Sequence, residues 1–318
     1  MKHAICEKLK QENDLEYTPS QIAVSCGAKH SIYNILQVLL DPEDEVLIPA
    51  PYWVSYTEMV KLAGGKPVIL ETTAAASFKV QPEQIRKAVT PKTKALILNS
   101  PSNPTGTVYT KEELSAIGAI LVENSITCIS DEIYEKLTYH GAEHHSIAAV
   151  VPDLKENTIL VNGVSKTYAM TGWRIGYIAG PESMADDITK LQSHSTSNPC
   201  SISQMAALTA ITGDQKIVED MRKAFETRLD LICTELDKAS GFVPFRGNGA
   251  FYVFTRVSDL YTGDINTSLA FADYCLEKAE IALVPGGAFG MDEYVRLSFA
   301  VSEEDIREGI RRLSALFS

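Results

Sequence analysis

The chain has 318 residues, 45% hydrophobic and 22% charged, which at roughly 150 residues per domain suggests about two domains and excludes both a disordered chain and a small disulfide-stapled module. Its 41 acidic residues against 29 basic ones leave a formal net charge of -12. Such a field repels phosphate backbones and anionic bilayers, so neither nucleic acid nor membrane is expected as a partner.

The first eight residues lack the apolar core of a signal peptide, and Ile5 and Leu9 mark an amphipathic helix that no Ser, Thr, Asp or Asn precedes as N-cap. Seven short segments rich in β-branched and apolar residues follow, at 22–25, 45–48, 67–70, 95–98, 126–129, 158–161 and 174–179. Helical patterns separate most of them. Residues 29–40 carry Ile32, Ile35, Leu36, Leu39 and Leu40 on one stripe, and 111–123 read similarly. This alternation predicts an α/β fold with a mainly parallel seven-stranded sheet and helices on both faces. Apolar residues stepping by three and four over 214–238 predict one long helix. Beyond it, strands are expected at 250–256 and 294–299 and helices at 267–280 and 303–317. The expected organisation is a large domain over 1–213, a connecting helix over 214–238 and a smaller α+β domain over 239–318. The six cysteines, Cys6, Cys26, Cys128, Cys200, Cys233 and Cys275, show no Cys-x-x-Cys pair and no metal-ligand spacing, and no run of about 18 apolar residues occurs. A cytoplasmic protein without a metal is expected.

In doubly wound sheets ligands gather beyond the carboxyl ends of the strands, so the polar residues there carry the chemistry. Gly27-Ala28-Lys29 opens the first such helix and could present free N–H groups to a phosphate; as an isolated feature it is an ordinary tight turn, since no Gly-rich phosphate motif is present. After the fourth segment, Asn103 stands in a loop stiffened by Pro101 and Pro104 and could offer its amide to a ligand oxygen, or simply start a turn. Asp131 ends the fifth segment, with Tyr134 three residues on. It either caps a turn or pairs with a protonated heterocyclic nitrogen. Lys166, in a mostly uncharged stretch after the sixth, is either a surface residue or a nucleophilic amine suited to a Schiff base, and Arg174 is a candidate phosphate partner. Arg296, inside an apolar strand, reads as a buried ion pair or as a bidentate clamp for a carboxylate. His144-His145 reads as surface loop.

Together, Asn103-Pro104-Thr105-Gly106, Asp131-Glu132-Ile133-Tyr134, Ser165-Lys166 with Met170-Thr171-Gly172-Trp173-Arg174-Ile175-Gly176-Tyr177, and Arg296 resemble the class I pyridoxal-phosphate aminotransferases of fold type I. Pro51-Tyr52-Trp53-Val54-Ser55-Tyr56 is most like the bacterial-type aspartate enzymes, some of whose relatives also use prephenate. The resemblance implies pyridoxal 5′-phosphate as cofactor and amino transfer from aspartate or a related donor to a 2-oxo acid, with Lys166 forming the internal aldimine and shuttling the proton. It implies that Asp131 pairs with the pyridinium nitrogen, Tyr134 and Asn103 hydrogen-bond the phenolic oxygen, and Trp53 stacks on the ring. Gly27, Ala28 and Lys29 at the helix start would hold the phosphate with Arg174, and Arg296 with Asn103 would meet the substrate. A homodimer with shared active sites is implied as well. Full-length relatives carry several dozen more residues before the equivalent of Met1, so an N-terminally truncated, catalytically impaired chain is one expectation. A carbon–sulfur β-lyase on the same scaffold is a further alternative, although those usually show His where Tyr134 stands.

Overall fold

The computed structural model describes residues 1–317; Ser318, the last residue of the expected small domain, lies outside them. Seven strands, β1 (Ile22–Ser25), β2 (Glu45–Pro49), β3 (Lys66–Leu70), β4 (Thr93–Asn99), β5 (Thr127–Asp131), β6 (Thr158–Gly163) and β7 (Gly176–Ala179), form one sheet in the order β1-β7-β6-β5-β4-β2-β3. Neighbours run parallel except β7, which is antiparallel to both β1 and β6.

Period-two alternation along the strands sorts their side chains onto two faces. Val46, Ile48, Ala95, Ile97 and Ile129 pack with Ile32, Ile35 and Leu36 of the helix Ala28–Leu39 and with Met59 and Val60 of the helix Ser55–Leu62. Leu47, Leu96, Leu98 and Cys128 face the other way, onto Leu114, Ile117, Ile120 and Leu121 of the helix Lys111–Glu123. That helix starts in a capping box: the Glu113 N–H donates to Thr110 Oγ1 at 3.3 Å, and the Thr110 N–H donates to Glu113 Oε2 at 2.8 Å. The N-terminal helix Lys2–Asn13 buries Ile5 and Leu9, and Met1 supplies no side-chain cap.

A second, antiparallel sheet has the order β10-β11-β9-β8, from β8 (Val243–Phe245), β9 (Tyr252–Arg256), β10 (Val284–Pro285) and β11 (Tyr294–Ser298). It packs with the helices Lys216–Lys238, Ser268–Ala279 and Glu303–Leu316 around a separate core. The periodicity leaves β8 and β10 unread, because each is short and contains a proline. Both are edge strands, where a missing N–H is tolerated. The seventh strand starts at Gly176 rather than at 174, since Arg174 sits in a left-handed turn with φ 54°. No described helix is long and apolar enough to cross a membrane.

Candidate active site

Asn99 and Asp131 are register partners at the carboxyl ends of β4 and β5. Asn99 ties two loops together: its Nδ2 donates to the Asp131 carbonyl at 2.9 Å, and its Oδ1 accepts the Asn103 N–H at 2.8 Å. A cavity of about 380 Å³ opens over this edge, and Ala28, Lys29, Trp53, Asn103, Asp131, Tyr134, Lys166, Arg174 and Arg296 all line it. Gly27, also expected among the ligand contacts, is not in the lining. It is the N-cap of the helix Ala28–Leu39 with φ 91°, and a Cβ there would lie 2.2 Å from Arg174 Nη2. Its part is therefore spatial: without a side chain, it lets the guanidinium lie against the helix start.

That corner could hold an anion. Arg174 donates to the Thr171 carbonyl at 2.7 Å and to the Cys26 carbonyl at 3.3 Å, which fixes the guanidinium beside the first-turn N–H groups of Ala28 and Lys29. First-turn N–H groups have no intrahelical acceptor and stand at the positive end of the helix dipole.

Asp131 is 3% exposed, and burial raises its carboxyl to about 6 against the hydrogen bonds it accepts from Tyr56 and the Ile133 N–H. None of the described cations lies within ion-pair distance of it. Lys166 faces the same space, with Nζ 5.1 Å from the centre of the Phe251 ring and 5.7 Å from that of Tyr134. Burial, then Arg296 and Arg174, hold its amine below the ordinary lysine range, which favours the nucleophilic free base. Arg296 comes from β11. Its Nη1 donates to Asn103 Oδ1 at 2.9 Å, leaving the Asn103 amide nitrogen as a donor, while its buried Nε has no partner. The buried ion pair considered for Arg296 is not formed: no acid of the described residues pairs with it. The set thus offers a guanidinium beside first-turn N–H groups, a buried carboxylate that no described cation pairs with, an amine held below the ordinary lysine range and a second guanidinium that no described acid pairs with. These four features together fit a phosphorylated pyridinium aldehyde and an amino acid.

His144, expected on a surface loop, is instead part-buried, with its imidazole turned inward. Its side chain is 8% exposed, and its Nε2 lies 3.0 Å from Glu132 Oε2. Glu132 accepts further bonds from Ser130 and Ser146, because a carboxylate this deeply buried needs every lone pair engaged. Behind it the ammonium of Lys8 meets Glu135, which also accepts from Asn13 at 2.8 Å.

The family model for aminotransferase class I and II matches residues 1–313. The chain belongs to this family. The aminotransferase is 50% identical over 317 residues to the aspartate aminotransferase of Bacillus subtilis (strain 168), an alignment covering 98% of this chain and 80% of that protein. It is 46% identical over 326 residues to the aspartate/prephenate aminotransferase of Nitrosomonas europaea, covering 100% of this chain and 82% of that one. Among solved structures, the aspartate aminotransferase of Rhizobium meliloti superposes with a TM-score of 0.95 at 39% identity, covering 99% of this chain and 80% of its own.

Three further residues of this cavity escape sequence reasoning. Tyr56 and Tyr252 line the cavity, and Asn99 holds its floor. A signal for Tyr56 exists: it follows Trp53 by three across a turn closed by the Tyr56 N–H to the Trp53 carbonyl at 2.9 Å, and the rings meet edge to face at 5.4 Å. Tyr252 has none, because its nearness to Arg296 arises only from the pairing of β9 with β11.

Proposed function

We propose that this aminotransferase binds pyridoxal 5′-phosphate at Lys166 and moves the amino group of aspartate, or of a closely related donor, to a 2-oxo acid. The observation that supports the reading is a pair of oppositely charged groups lining one cavity that, among the described residues, have no ion-pair partner: the buried carboxylate of Asp131 and the part-buried guanidinium of Arg296. Bound there, the cofactor supplies a conjugated ring that accepts the electron pair released at the donor's α-carbon.

The chain's own residues do the remainder. Lys166, its amine held below the ordinary lysine range, attaches the cofactor and then serves as base and acid at the α-carbon. Asp131 holds the proton on the ring nitrogen, while Tyr134 and Asn103 donate to the phenolic oxygen. Trp53 covers one face of the ring. Arg174 and the N–H groups of Ala28 and Lys29 hold the phosphate. Arg296 grips the α-carboxylate with the planar two-bond geometry that a lysine could not provide. One cation in the cavity is then unassigned: the ammonium of Lys29, 4.8 Å above the Trp53 ring. It is the group we assign to a side-chain carboxylate, and this supports a dicarboxylic donor. The names of the matched relatives point the same way.

The same reading carries a large unit over 1–213, a smaller unit over 239–318 that contributes Arg296, a cytoplasmic location and a homodimer. The exposed Ile202 and Met205 on the helix Ser201–Thr212 support a partner surface. A panel of amino donors with 2-oxoglutarate tests the function. Aspartate should give the highest kcat/KM, and a chain loaded with cofactor that forms glutamate from no donor contradicts the proposal.

A further inference from the structure

The two groups assigned above to opposite ends of the reacting molecule, Tyr134 at the cofactor and Arg296 at the substrate, touch the same side chain. Tyr252, 7% exposed on β9, places its hydroxyl 3.0 Å from that of Tyr134 and its ring face 4.2 Å from the Arg296 guanidinium carbon. Pairing of β9 with β11 sets Arg296 opposite Phe254 and therefore diagonal to Tyr252 on one face of the sheet. Phe289 covers the guanidinium from another direction at 5.1 Å.

Each phenol carries one proton, so the direction of the bond between them has consequences. When Tyr134 spends its proton on a ligand oxygen in the cavity, the only donor left for the 3.0 Å contact is Tyr252. A hydroxyl that accepts a hydrogen bond is polarised into a stronger donor, and its rotor is fixed. The ring acts on Arg296 differently. With Nη1 tied to Asn103 and Nε unpartnered, the aromatic face is what sets the tilt of the guanidinium plane, and the ring quadrupole holds the cation without competing for its N–H groups.

Resting on the function proposed above, we infer that Tyr252 is a positioning residue that couples the cofactor contact to the carboxylate clamp, its hydroxyl acting on Tyr134 and its ring on Arg296. The two actions are separable by substitution. Tyr252→Phe removes the hydroxyl and keeps the ring; Tyr252→Leu removes both.

The test uses the cofactor-loaded chain and two readouts other than turnover: the pH midpoint of the bound cofactor's visible absorbance, and the affinity for succinate, a dicarboxylate with no amino group to react. Weaker donation from Tyr134 leaves the phenolic oxygen more basic, so the midpoint in Tyr252→Phe should rise by roughly 0.1 to 0.2 pH unit, the 10–30% by which one hydrogen bond strengthens the next. Succinate affinity in that variant should stay within about twofold of the unmodified chain, since the aromatic face remains. Tyr252→Leu should show the same midpoint rise and bind succinate roughly five- to tenfold more weakly. An unmoved midpoint in Tyr252→Phe overturns the hydroxyl's role. Equal loss of succinate affinity in the two variants overturns the ring's. Tyr252→Phe, being nearly isosteric, keeps the inference falsifiable even if the leucine variant does not fold: an unmoved midpoint, or a loss of succinate affinity of roughly fivefold or more with the ring still in place, overturns it. An unmodified chain with no cofactor absorbance at all would instead contradict the proposed function, and the inference with it.

Discussion

The hydroxyl of Tyr56 reaches Oδ2 of Asp131 at 2.5 Å, with both groups buried. This bond opposes the effect of burial on the carboxyl and holds Asp131 closer to the ionised form that a pyridinium requires. Tyr56→Phe should therefore raise the Asp131 pKa above about 6, so that at pH 7 more of the chain must lose a proton before taking up cofactor. Pyridoxal phosphate should bind roughly five- to tenfold more weakly at pH 7, and the deficit should shrink at pH 9, where Asp131 is ionised in either protein. Equilibrium titration of the cofactor-free chain at the two pH values checks this.

A buried carboxyl raised from 3.8 to about 6 also makes a statement about stability. Its folded pKa lies above its unfolded one, so its favourable contribution is present below about pH 4 and is lost as pH rises through about 6. The ceiling from the two values is about 3 kcal/mol. Asp131→Asn should remove that slope: without cofactor it should melt higher than the unmodified chain at pH 8, and the gap should close at pH 4, while turnover falls by at least a hundredfold. Calorimetry of the cofactor-free proteins across this range decides it. Glu135, held at about 2 by Lys8, acts in a lower window and with the opposite sign, so the two effects can be told apart.

Lys8 and Glu135 form a buried ion pair that anchors the N-terminal helix beneath the loop carrying Asp131. Lys8→Met would strand the Glu135 carboxylate, which would keep its hydrogen bond from Asn13 and the neighbouring imidazole of His144. A loss of about 3 kcal/mol is expected by urea unfolding of the cofactor-free chain, because removing one member leaves a buried charge uncompensated.

Arg296→Lys should raise KM for all α-amino acid donors alike, by roughly tenfold or more, since an ammonium cannot make the paired contact. Lys29→Ala should discriminate instead: KM rises for aspartate and glutamate and stays near its original value for donors with neutral side chains. Steady-state kinetics over a donor panel separates the two patterns, and a uniform effect in Lys29→Ala contradicts its assignment to the side-chain carboxylate.

Much of this site is legible because several candidates, Asp131 and Lys166 above all, end or follow an element whose period is plain. Ile129 and Cys128 sort to opposite faces, so Asp131 must emerge at the sheet edge, and Lys166 follows β6 in the same way. Arg296 is visible as a charge inside an apolar strand. What the sequence conceals depends on pairing between distant segments. Tyr252 meets Arg296 only through strand register, and Asn99 meets Asp131 only through the order β4-β5. His144 is hidden for a related reason, since its partner Glu132 lies twelve residues back on another segment and nothing local marks its imidazole as turned inward.

The proposed chemistry requires Lys166 to be the amine that carries the cofactor. Borohydride reduction of the pyridoxal-phosphate-treated chain, followed by peptide mapping, measures it directly. One pyridoxyl label is expected, on Lys166, and none in Lys166→Ala; a stoichiometric label on any other lysine, Lys29 included, would overturn the assignment.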